Sequence, residues 1–210
     1  MTTAGTRIRK TVVAAAAGLL TSAGVAIAPG VAAAEQADLE VHLTYPVTGT
    51  THLKSTDSTL ALGPGTLSTT TELPSGDLTA SLDLPPATGS FKEFGVIPIT
   101  ATTEFIQQGP TTGQANLITG HVQSTSHIIL RLVAVEVAGI PVPVGDQCQT
   151  RVPATVELES EPGFNVQTGG TMTGTYAIPK FEGCGLATPL INLTIPGSGN
   201  TITLELGHAL

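Results

Sequence analysis

Three acidic side chains, Glu157, Glu159 and Glu161, stand two residues apart in the run Val156-Glu157-Leu158-Glu159-Ser160-Glu161. In an extended chain that spacing puts them on one face, roughly 6–7 Å from each other. Glycoside hydrolysis uses two carboxyl groups about 5 to 9.5 Å apart, so distance alone would permit it. The reaction also needs one carboxyl desolvated, so that it keeps its proton near neutral pH. Alternation with Val156 and Leu158 instead marks the acids as the wet face of a strand. An unrecognised hydrolase is therefore the weakest reading.

The other reactive residue types fare no better. His121 and His127 share strand parity, but six residues hold them roughly 20 Å apart. His42 and His52 read as flanking a turn and so could approach each other, yet no third metal ligand can be named. No G-x-S-x-G elbow, calcium loop or phosphate-binding glycine motif occurs. Without Trp and with only two Tyr, the chain has few platforms on which a sugar could stack. The expectation is a protein with no catalytic residues, no metal and no cofactor.

Two residue groups remain. Cys148 and Cys184 are the only cysteines, and in an oxidising compartment a pair most simply forms one disulfide. It would close a loop of about 37 residues and stabilise the fold by roughly 3–4 kcal/mol. Oxidation would also remove any thiolate nucleophile. Phe91 and Phe94 straddle Lys92-Glu93 after the Pro85-Pro86 turn, and Phe181 occupies a similar place later in the chain. Such residues serve either as plugs beneath a sheet, the commoner use of Phe, or as an exposed contact loop for protein or lipid.

The elements that must position these residues follow a two-residue rhythm. Leu39, Val41, Leu43 and Tyr45 alternate with Asp38, Glu40, His42 and Thr44, and similar runs cover 77–84, 155–159, 171–178 and 201–206. Alternation of this kind buries one face of an antiparallel sheet and wets the other. No convincing 3.6-residue stripe appears after the N-terminal region. The prediction is an all-β, antiparallel β-sandwich, immunoglobulin-like or related. The run from His127 to Ala138 is apolar on both faces, which predicts a central strand covered on both sides or one lining a ligand cavity.

A repeat adds to this. Gly76–Pro85 followed by Gly89 matches Gly170–Pro179 followed by Gly183 at a constant offset of 94. It predicts a duplicated β-unit, with halves of about 35–125 and 126–210, arranged as two lobes or as two halves of one sandwich.

The N-terminus reads as an export signal. Arg7, Arg9 and Lys10 precede a small and apolar run from Thr11 to Ala28, and Ala32-Ala33-Ala34 precedes Glu35. Residues 1–34 are therefore predicted to be a signal peptide cut after Ala34, leaving 35–210 as the exported domain. No cysteine near the cut offers a lipid attachment point, and no apolar tail follows. All 16 acids lie after the cut against five bases, giving a net charge of −11. That charge disfavours nucleic acid and anionic lipid surfaces as partners, since both are bound through Lys and Arg. Asn192-Leu193-Thr194 is a glycosylation sequon, read as an accident within an apolar strand.

The stretches Leu84-Pro85-Pro86-Ala87-Thr88-Gly89-Ser90-Phe91, Gly139-Ile140-Pro141-Val142-Pro143 and Phe181-Glu182-Gly183-Cys184-Gly185, with the Ala-rich export signal, give the chain a likeness. It resembles small secreted β-rich proteins that actinobacteria encode in many copies. The resemblance implies secretion, a β fold and a bacterial envelope setting; it carries no activity and no site residues. The expected role is that of a non-catalytic extracellular or cell-surface protein, structural or binding. Its partner would be another envelope protein or an apolar ligand such as an envelope lipid.

Overall fold

The structure, a computed structural model, describes residues 39–93 and 95–210. The predicted signal peptide and Phe94 lie outside the described residues. Thirteen strands form one sheet: β1 (Leu39–Leu53), β2 (Ser58–Leu73), β3 (Asp77–Asp83), β4 (Ala87–Glu93), β5 (Ile97–Gln107), β6 (Thr111–Ala115), β7 (Val122–Val137), β8 (Ile140–Pro141), β9 (Gln149–Thr150), β10 (Ala154–Ser160), β11 (Gly170–Ile178), β12 (Phe181–Glu182) and β13 (Gly197–Leu206). One short helix, α1 (Thr188–Thr194), precedes β13.

The all-β prediction holds, but the sandwich does not. Eight strands run in the order β1-β2-β3-β6-β7-β10-β11-β13, and β13 pairs back onto β1, so the sheet closes into an antiparallel barrel. Period-two alternation cannot separate the two architectures, because each buries one face of every strand; closure depends on which edges meet.

The register fixes the barrel's shape. Starting at His42, paired residues run through Thr70, Thr79, Thr112, Thr125, Glu157, Thr175 and Thr201, and the path returns to β1 at His52. The stagger from residue 42 to 52 tilts the strands by about 40° and gives a backbone radius of about 8 Å, for about 3.3 Å per residue and about 4.8 Å between strands. This outward row carries hydroxyls, imidazoles and a carboxylate, a face made for water.

Both halves of the chain run in the same order. β1-β2-β3-β6 is one four-stranded meander and β7-β10-β11-β13 the next. The 94-residue offset maps β3 onto β11, the third strand of each meander. The excursions differ: β4 and β5 separate β3 from β6, whereas β12 and α1 separate β11 from β13. Both meanders contribute to one barrel wall.

The long strand β7 corrects a second expectation. Ser126, Ile128, Leu130 and Leu132 point inward and are buried, while Val133 is 43% exposed. Opposite, the β5–β7 register slips between Thr102 and Thr103, and beyond the slip Val135 and Val137 turn inward. A β-bulge has reversed the parity midway. The run from Ile128 to Val137 has apolar residues at both even and odd positions because its inward set changes from even to odd numbers. Its first half pairs with β6 and β10, and its second with β5, which carries β4 at its edge. Arg131, on the outer face, pairs with Glu104 across the β5–β7 ladder.

The β1 end of the fold is likewise simpler than expected. β1 runs unbroken through Pro46, so His42 and His52 flank no turn and lie roughly 30 Å apart along one strand. Pro46 sits where β13 leaves the ladder, and its carbonyl accepts the Gly207 N–H at 2.9 Å.

Candidate functional site

The barrel is solid at one end and hollow at the other. At the solid end Val47, Leu62, Leu132 and Phe181 are almost fully buried, and the β4–β5 hairpin and α1 close over them. Gly89 of β4 packs so tightly on Leu60 that an added Cβ would lie 2.8 Å from its Cδ1, which explains a glycine within a strand. Two small voids of about 50 and 60 Å³ lie there.

Toward the other end a cavity of about 240 Å³ occupies the lumen, and all eight barrel strands contribute to its wall. The wall is aliphatic for the most part: Val41 and Leu43 from β1, Leu67 from β2, Leu78 from β3, Leu158 from β10 and Leu204 from β13 are among its members. Eight strands give a width at which a barrel either fills with side chains or encloses one small ligand. Here small inward residues leave the space open. One ring of paired residues reads Leu43, Thr69, Ala80, Thr111, Ser126 and Val156; the next toward the mouth reads Val41, Thr71, Leu78, Gly113, Ser124 and Leu158.

The polar groups of the deeper ring satisfy one another. Thr111 and Ser126 share a 2.6 Å hydrogen bond, Thr69 donates to the Leu43 carbonyl at 3.2 Å, and Gln107 reaches in to donate to the Ala80 carbonyl at 2.9 Å. Thr71 and Ser124, in the ring nearer the mouth, are half-buried and line the cavity, and among the described residues the hydrogen bonds of the lumen hydroxyls are those of Thr69, Thr111 and Ser126. Among the described residues Tyr45 is the one ionisable side chain of the wall. Burial raises its pKa above the usual 10.0, and its hydroxyl donates to the Val166 carbonyl at 2.6 Å.

That bond ties down a loop over the mouth. Residues 161–169 connect β10 to β11 and place Phe164 and Val166 against the lumen. Asn165 shapes the loop: its side-chain oxygen accepts the Gln167 N–H at 2.8 Å, and its backbone exchanges two hydrogen bonds with Gly169. The chain terminus buttresses it, Ala209 N–H donating to the Gln167 carbonyl at 2.9 Å. Beside it on the rim, in the turn between β6 and β7, Leu117 is 51% exposed and Ile118 is exposed.

The residues singled out by sequence fall elsewhere. Cys148 and Cys184 form the expected disulfide, joining the loop just before β9 to the turn after β12, outside the lumen lining. Phe181 is 1% exposed, so it cannot serve as a contact loop; it plugs the solid end, held by Asn192, whose side chain bonds both its N–H and its carbonyl at 2.7 and 2.9 Å. Phe91 is half-buried and lines the two small voids near the helix. Asn192 lies on α1 rather than in a strand, and its amide is already engaged. Glu157 and Glu159 are exposed on the outer wall, and Glu161 accepts from Thr173 at 2.6 Å. His121 and His127 sit on the outside against Ser160 and Thr155. Among the described residues no three His, Cys, Asp or Glu side chains converge as metal ligands.

The lumen hydroxyls were missed. Their signal is small polar residues in inward register, Ser124 and Ser126 between Val122 and Ile128, which period-two reading discards as a wet face.

Compared with protein-family models, curated proteins and solved structures, the chain matches none.

Proposed function

We propose that this protein is an exported, non-catalytic carrier that holds one small apolar molecule in the lumen of its barrel. The observation that supports this reading is the apolar cavity of about 240 Å³, walled by every strand of the barrel. A fold of this size gains stability by filling such space: at about 24 cal/mol per Å³, a void this large forgoes about 6 kcal/mol. Keeping it open is costly unless something occupies it. The exported setting rests on the basic and apolar N-terminus and on the disulfide.

The test is extraction of protein purified from its native secretor with organic solvent, followed by mass spectrometry. About one mole of a small apolar compound per mole of protein is expected. Adding that compound back at a hundred times its Kd should raise unfolding free energy by about 2.7 kcal/mol. A clean extract, together with no shift from any apolar compound of suitable size, refutes the proposal.

A further inference from the structure

We infer that the lumen selects a neutral ligand: a slender aliphatic body of about ten non-hydrogen atoms that carries a hydroxyl or carbonyl, and not a fatty-acid anion. The inference rests on the lumen being the binding site. Size comes from proportion: an engineered cavity of about 150 Å³ takes up benzene, so about 240 Å³ holds about ten such atoms.

Charge is excluded by the wall. Among the described residues its single ionisable group, Tyr45, already donates to Val166, and no Lys or Arg lines the cavity. Arg131 and Arg151 are engaged outside by Glu104 and Glu182. An ionised headgroup drawn into the lumen would lose its water and find no counter-charge. Glu72 and Asp77, exposed on either side of the β2–β3 turn at the mouth, add repulsion against an anion.

The polar atom of the ligand has a place to go. The hydroxyls of the deeper ring are committed to protein partners, whereas Thr71 and Ser124 face the cavity. A hydroxyl or carbonyl can accept from either and leave its chain among Leu43, Leu67 and Leu204.

The experiment compares 1-nonanol, nonanoate, nonylammonium and 1-chlorononane by calorimetry at pH 8 on the purified secreted protein. 1-Nonanol should bind one to one and at least tenfold tighter than either ion. Ser124→Ala and Thr71→Val, tested singly and together, should weaken 1-nonanol threefold or more while leaving 1-chlorononane unchanged. Nonanoate binding as tightly as 1-nonanol would overturn the charge selection while leaving the lumen as a binding site. Equal effects of the double variant on 1-nonanol and 1-chlorononane would overturn the polar contact. Failure of all four to bind would instead remove the carrier reading itself.

Discussion

Ala80→Leu distinguishes a hollow barrel from a filled one. Ala80 belongs to the deeper lumen ring, is 6% exposed, and points into the cavity between Thr69 and Thr111. Leucine adds three carbons. At about 0.8 kcal/mol per buried CH₂ the gain reaches about 2.4 kcal/mol, from which ordering the side chain removes about 0.5–1 kcal/mol. The ligand-free protein should therefore be stabilised by about 1.5–2 kcal/mol, a rise in Tm of about 3–8 °C for a domain of this length. The matched control is Ala154→Leu. Ala154 is 1% exposed, pairs with Ile128 across the β7–β10 ladder, and lies outside the lumen lining. The same three carbons there overpack the fold and should cost about 1–3 kcal/mol. Thermal and denaturant unfolding of both variants reads the difference, and calorimetry should show that Ala80→Leu also weakens 1-nonanol at least tenfold by occupying its site. If both substitutions destabilise alike, the lumen is no emptier than the rest of the core and the carrier reading loses its basis.

Four further outcomes follow from the contacts. Tyr45→Phe removes the hydrogen bond to Val166 and should cost about 1 kcal/mol, while stopped-flow displacement should show faster ligand release as the 161–169 loop loosens. Phe181→Ala should cost about 3–5 kcal/mol in urea unfolding, since the ring is wholly buried; a change below about 1 kcal/mol would restore a surface role for it. Replacing Cys148 and Cys184 with Ser frees a loop spanned by a separation of 36 residues and should cost roughly 3–4 kcal/mol, with lumen affinity unchanged in protein that remains folded. Burial raises the pKa of Tyr45, and of Tyr176 despite an opposing hydrogen bond from Thr51. Both favour the protonated form in the folded state, so their contribution is complete below the unfolded value of 10.0 and is lost as pH rises past it. Stability measured from pH 7 to 11 should hold level and then fall; a decline beginning near neutrality would contradict this.

The strands were legible in the sequence because burial on one face writes itself as a period of two, and Leu39–Tyr45 or Thr155–Glu159 could be read residue by residue. The disulfide was legible because only one pairing exists. Closure was not, since it depends on β13 meeting β1 and β10 meeting β7, pairings between residues more than 25 positions apart that leave no local mark. The parity change at the β7 bulge was misread for a related reason: Val133 is left unpaired between Leu132 and Ala134, and that extra residue shows only in the register against β5. The lumen was hidden by its own chemistry. A ligand cavity in a β-barrel needs inward positions that are small, and where Thr69, Thr111 and Ser126 supply them they look like the solvent face of the same strands. Volume is the property that separates the two, because a hydroxyl facing water and a hydroxyl facing an enclosed void are identical in sequence and differ only in what stands opposite. In this barrel Leu43 stands beside Thr69 and Val156 beside Ser126, so the polar groups lie within an aliphatic wall and satisfy each other, leaving Thr71 and Ser124 near the mouth to meet whatever enters.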